Sequence, residues 1–298
     1  MSQPAEVAPL TTAPASAGPW RLADQPRQTD YVVVVQTAVR VGGVAYETAS
    51  QLVVRKTYRE ATAQGWVIEL DTLEFSHEPT QPLEELAGYL AQVQRRLVVE
   101  IDQTGQLRRV LNKEELRAAW AALAPTLQTH YAGSREITPA LLDQVGQTLA
   151  ANDLLEEALR QAPAYYLLLP PIFGKPYSTY LSQPGTVVVK RFLGDLDLSI
   201  LTETRLVESA LPTPAHTLEV RGWVDGAAYP AAGVSQAVRT LTGQAEPAAD
   251  LGLLYHETYT LEPAGTAPDL LTAARYVQYE VPGVIGQKIT TVLTKLLP

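Results

Sequence analysis

The residues of this chain that could do chemistry are few and scattered. Four histidines are present, and two of them, in His77-Glu78 and His256-Glu257, begin like a zinc-protease motif. That motif needs a second histidine four residues on, so that one helical face presents both ligands. Here position 81 is Gln81 and position 260 is Thr260. His256 also falls in a strand-like run, where residues four apart lie about 13 Å apart at about 3.3 Å per residue. The zinc reading therefore fails. His130 reads as a helix-end residue facing the dipole, and His216 sits in a proline-rich turn.

The carboxylates read in the same structural way. Asp195 and Asp197 form a D-x-D that in a loop could hold a divalent cation. Leu196 and Leu198 alternate with them, as on a half-buried strand with the acids on its wet face. Glu84-Glu85, Glu114-Glu115 and Glu156-Glu157 stand where helices should begin, where they complement the positive dipole end. Adjacent helical residues point about 100° apart, at 3.6 residues per turn, so none of these pairs makes an acid/base dyad. No nucleophile elbow, phosphate loop or dinucleotide fingerprint occurs. Catalytic residues, metal ligands and cofactors are expected to be absent.

The most unusual stretch is residues 165–180, where Tyr165, Tyr166, Phe173, Tyr177 and Tyr180 are interleaved with Pro170, Pro171 and Pro176. Aromatic, proline-stiffened loops make good recognition surfaces, because little rotamer freedom is lost on binding. These five residues are the candidate binding site. The prolines break any regular period and argue against a helix here. The aromatics therefore cannot all face one core, and Tyr177 and Tyr180 are expected at the surface. The alternative is a segment that plugs one end of a sheet.

The elements that must position this segment follow from periodicity. Residues 1–27 are rich in Ala, Pro, Thr and Ser, with Pro4, Pro9, Pro14 and Pro19 at intervals of five. Proline removes backbone donors, so a disordered tail is expected, with Trp20 as its one docking residue. Residues 28–298 read as a single α+β domain. Strands are expected over 29–41, 44–58 and 65–75, the first two joined by Gly42-Gly43. A helix over 82–94 carries Leu83, Leu86, Leu90 and Val93 on one stripe. A hairpin over 97–111 follows.

A helical block covers 113–160. Leu116, Trp120, Leu123 and Leu127 share a face that Pro125 should kink or break. Leu141, Leu142, Val145 and Leu149 make a second stripe, and Asn152 caps a third helix. Strands return over 186–193, 196–207, 217–224, 251–261 and 271–281, with a short helix around Val234 to Leu241. Residues 288–297 fit strand or helix, with Ile289 to Val292 favouring a strand. Because βαβ alternation is absent, the fold class is α+β. Its core is a large curved antiparallel sheet, half-barrel-like, with the central helical block packed on one face.

Composition narrows the partners. The net charge is −9 and no Lys/Arg cluster exists, so nucleic acid is not expected as a partner. The absence of cysteine excludes disulfides, thiolate metal sites and cysteine nucleophiles. The most apolar stretch, 164–173, is half the length needed to span a bilayer, so no membrane insertion is expected. The N-terminus has no basic start and apolar middle. The simplest location is the cytoplasm, or an exported compartment if this is a processed mature end.

This element order, over residues 29–297, resembles the half-barrel of LolA-like lipoprotein carriers. The segment Leu169-Pro170 to Lys175-Pro176, followed by the strand at 186–193, is similar to bacterial β-rich proteins of unassigned role. LolA-like carriers are exported, and this N-terminus carries no export signal; no functional residue is transferred. The first functional expectation is a non-catalytic interaction or adaptor protein with a protein partner. The alternative is a carrier or binding module for an apolar small molecule held between sheet and helices. An enzyme ranks third.

Overall fold

The structure is a computed structural model that describes residues 16–17, 20–23, 25–41, 43–79, 81–151, 153–208, 215–242, 251–262 and 268–297. Three long strands open it: β2 (Arg27–Val41), β3 (Val44–Thr62) and β4 (Gly65–His77), after a two-residue β1 (Ser16–Ala17). Helix α1 (Pro82–Val93), the hairpin β5 (Arg96–Asp102) and β6 (Leu107–Val110), and helices α2 (Lys113–His130), α3 (Pro139–Ala150), α4 (Leu154–Gln161) and α5 (Pro163–Leu168) follow. Next come the short β7 (Tyr177–Ser178), then β8 (Gln183–Leu193), β9 (Leu196–Glu208), β10 (His216–Val224) and α6 (Ala231–Thr242). The chain ends with β11 (Gly252–Leu261), β12 (Leu270–Val281) and β13 (Ile285–Lys295).

Eleven strands form one antiparallel sheet in the order β6-β5-β4-β3-β2-β13-β12-β11-β10-β9-β8. The last strand is thus inserted beside the first long one, at the centre. Residues 288–297, which fitted strand or helix, are strand because β13 pairs with β12 on one side and β2 on the other. Alternation does the rest. On β3, Leu52, Val54, Lys56 and Tyr58 are buried while their neighbours are not, so one face meets the core.

The sheet is strongly curved. The rings of Phe192, at the tip of the β8–β9 hairpin, and Tyr279 on β12 are 5.8 Å apart. Four strand spacings separate β8 from β12. In a flat sheet that is about 19 Å at about 4.8 Å each. The hairpin end therefore folds back over the inner face.

The helical block covers that inner face, with α5 lying on β12, β13 and β2 at the sheet centre. Glutamates open α1, α2 and α4 as the dipole requires. Glu156 does more. It is buried, accepts from the Val110 amide at 2.8 Å and pairs with Lys113 at 2.7 Å, so it fastens α4 to β6. Burial alone would raise its pKa, but these partners hold it below the usual carboxylate value.

Several expectations are corrected. Pro125 does not break α2, which runs unbroken through it. Pro125 and Ala121, whose carbonyl loses its donor, are both exposed, so water can satisfy that carbonyl, while buried Leu116, Trp120 and Leu127 hold the helix on both sides. Leu83 opens the α1 stripe but is half exposed, because it sits in the first turn beyond the covered face. Upstream of residue 28, Trp20, Leu22 and Ala23 are buried, and the Trp20 ring lies near those of Tyr177 and His216. β1 pairs with β7. Asn152 and residues 1–15 lie outside the described residues; α4 begins after Asp153 at φ 73°. Among the described residues no helix is long and apolar enough to cross a membrane.

Candidate functional site

Segment 165–180 divides into parts with different fates. Its first residues are helical, against expectation. Pro163 occupies the first turn of α5, where its missing N–H costs no hydrogen bond and its φ is already helical. The C-terminal end of α5 is held from the sheet. Lys56, buried on β3, donates from Nζ to the Leu168 carbonyl at 2.6 Å. A cation at the negative end of the helix satisfies one of its orphan carbonyls.

Phe173 and Tyr177 are buried. Phe173 is buried, its amide donates to the Thr104 carbonyl at 3.0 Å, and its ring lies against Gly105 in the β5–β6 turn. Tyr177, expected at the surface, is only 3% exposed, and its hydroxyl donates to the Ile172 carbonyl at 2.9 Å. The physical reason is the segment upstream of β2: β1 pairs with Tyr177–Ser178, and the Trp20 ring covers Tyr177 at 5.3 Å. Tyr180 meets the expectation, at 72% exposed, beside Leu181 at 70%.

Tyr165 and Tyr166 instead line a cleft of about 200 Å³ between the α4–α5 segment and the edge strand β8. Leu159, Leu169, Pro171 and Val187 supply apolar wall, Arg160 and Gln161 lie at α4, and Arg275 from β12 reaches the same space. The Arg275 guanidinium sits 4.0 Å from the centre of the Tyr166 ring, a cation–π contact. Burial pushes the Tyr165 hydroxyl up to about 12. Burial, with the charge of Glu257, raises Tyr166 as well.

Beneath α5 the sheet carries a polar row across its centre. Glu257 on β11 opposes Arg275 on β12, which opposes Thr291 on β13, which opposes Val35 on β2. Glu257 and Thr291 are buried. Tyr255 and Tyr259, two residues either side of Glu257 on the same face, donate their hydroxyls to its carboxylate, Tyr259 at 2.7 Å. Arg275 Nε lies 3.1 Å from a Glu257 oxygen, close enough for an ion pair but not aligned for a hydrogen bond. Burial works against the Arg275 charge, and the surrounding Tyr255, Tyr166 and Glu257 more than offset it, so its pKa stays above the ordinary arginine value. Tyr255 and Tyr259 are raised, chiefly by burial.

Sequence reading missed Arg275, Glu257, Tyr255, Tyr259 and Arg160. The signal was available in Tyr255-x-Glu257-x-Tyr259, a polar period-two pattern on the face that elsewhere along the same strand carries Leu253 and Leu261. The histidines do not meet. His77 contacts the Glu84 carbonyl, His130 pairs with Glu85, and His256 pairs with Glu219 at 3.1 Å. Asp197 binds Lys190 and the Arg191 amide in the β8–β9 hairpin. Among the described residues no three metal-ligating side chains cluster.

A larger groove of about 630 Å³ lies at the far ends of β2, β3 and β13. Gln36, Glu47, Gln51, His77, Glu78 and Lys288 are among its lining residues, and it lies open to solvent. The smaller cleft, with apolar walls and a guanidinium at its floor, has the make-up of a ligand site.

No family model matches the sequence, and no curated protein matches it. Among solved structures, one of lipovitellin and its lipid–protein interactions matches with a TM-score of 0.47 at 8% identity, over 91% of this chain and 25% of that one. This chain spans a quarter of that protein's length, and a likeness this loose transfers no role.

Proposed function

We propose that this protein is a binding module for an apolar small molecule, held between the inner face of the sheet and the α4–α5 segment. One observation carries the reading. The cleft at α5 is walled by Tyr165, Tyr166, Leu169 and Pro171, and is backed by a strand edge rather than by solvent. Two tyrosines with few rotatable bonds give contact area at low entropic cost. Native mass spectrometry of the purified protein tests it. The expected result is a co-purifying small molecule that is lost in a Tyr165→Ala variant. A protein that carries none, and that no apolar compound stabilises in thermal shift, would count against the proposal.

An adaptor role has its own support. Tyr180 and Leu181 stand exposed side by side between β7 and β8. An exposed aromatic beside an aliphatic residue has the composition of an interface anchor. That surface is apart from the cleft, so the two roles are compatible.

A further inference from the structure

Arg275 is an unusual floor for an apolar cleft. Its side chain is 11% exposed, and its Nε is buried without a hydrogen bond. Arginine carries five N–H donors and cannot discharge itself by losing a proton. The one acid facing it, Glu257, already accepts from Tyr255 and Tyr259. Thr291, directly opposite on the neighbouring strand, also has a buried hydroxyl without a partner. Thr291 does not line the cleft, but Arg275 does, and its guanidinium is paired at Nε without an aligned hydrogen bond, which leaves it able to take a ligand acceptor from the cleft side.

The charge around the cleft is unbalanced in one direction. Arg160 at the wall gives two of its five donors to backbone carbonyls, those of Leu107 at 3.0 Å and Arg108 at 3.3 Å, and these bonds bring it no carboxylate. No Asp or Glu is among the described lining residues. Two guanidiniums set against one Glu257 carboxylate leave one net positive charge. A planar guanidinium matches a carboxylate through two parallel hydrogen bonds, and it keeps its stacking on Tyr166 while doing so. A dianion such as a phosphate monoester would exceed the single net positive charge. The cleft is small, at about 200 Å³. That suits a small molecule rather than a long acyl chain buried whole.

Resting on the binding reading above, we infer that the ligand of this cleft is a small monocarboxylate with an apolar or aromatic body. Its carboxylate meets Arg275 and Arg160, and its body packs on Tyr165 and Leu169.

A matched pair of probes tests this with the full chain. 3-Phenylpropanoate and the uncharged 3-phenyl-1-propanol share one body and differ in the head. Isothermal titration at pH 7 is expected to show the acid binding at least tenfold more tightly than the alcohol. Arg275→Lys keeps the charge but loses the planar fork, and is expected to erase most of that preference. If Arg275→Lys fails to fold, Arg160→Gln at the cleft wall carries the test, with an expected loss of at least threefold for the acid and none for the alcohol. Equal affinity for acid and alcohol overturns the carboxylate inference while leaving apolar binding intact. A preference that survives in both folded variants also overturns it. If neither probe binds, both this inference and the binding reading fall.

Discussion

The ammonium of Lys56 on β3 and the carbonyl of Leu168 at the end of α5 are 2.6 Å apart, and both are buried. This contact ties the helix that carries Tyr165 and Tyr166 to the sheet that carries Arg275. Replacing Lys56 with Met keeps the apolar stem and leaves the carbonyl without its donor. The expected cost is about 1–3 kcal/mol, the penalty for one unsatisfied buried group. Urea denaturation measures it, and an unchanged midpoint would show that the helix end is held by something else.

Gly105 turns the β5–β6 hairpin with φ at 96°. A Cβ there would lie 2.5 Å from the Pro170 carbonyl oxygen and 2.9 Å from the Phe173 ring. Gly105→Ala therefore strains the backbone and pushes the aromatic segment off the turn. We expect a loss of at least about 1–3 kcal/mol, seen as a fall in Tm of about 2–4 °C per kcal/mol. A Tm within about 1 °C of the parent would contradict the docking of the turn on Pro170.

Tyr177 and Tyr180 separate by burial. Tyr177→Ala empties a core position beside Trp20 and strips the Ile172 carbonyl of its donor, so it is expected to cost about 3–5 kcal/mol, as large aromatic truncations do. Tyr180→Ala, at an exposed site, is expected to stay within about 0.5 kcal/mol. Equal effects in parallel melts would refute the placement of one of them.

Glu219 gives the sheet a specific acid sensitivity. Burial tends to raise its pKa, but hydrogen bonds from Arg221, Arg205 and His256 overcome this and hold it down at about 2. A folded pKa below the unfolded value means the stabilisation is complete above the unfolded value, 4.5, and is lost as the pH falls towards 2. Stability measured from pH 6 to pH 2 should fall through this window, and Glu219→Gln should flatten part of that fall. An identical slope in the variant would remove Glu219 from the acid response.

Much of the architecture is legible in local pattern. Alternation in 44–58, the stripe of Leu116, Trp120 and Leu127, and the glutamates at helix starts are short-range signals. A strand or helix announces itself by which residues recur on one face. The α+β class followed from their order. The site was half legible. Tyr165 and Tyr166 attracted notice by composition, and they do line the cleft. Composition could not say that Phe173 and Tyr177 are core and Tyr180 surface, because that depends on β1 arriving at Tyr177 from about 160 residues upstream.

The sequence by itself determined the long strands and the helices up to α4, the acidic and cysteine-free composition, and which aromatics were concentrated where. Only the tertiary structure decided that β13 closes against β2. The pairings of β12 with β11 and with β13 set Glu257, Arg275 and Thr291 in one row across the sheet. Strand register is set by the whole sheet, and nothing local to Arg275 records which residues will oppose it. A charge reads as a solvated side chain until the fold covers its face, and α5 is the element that covers this one.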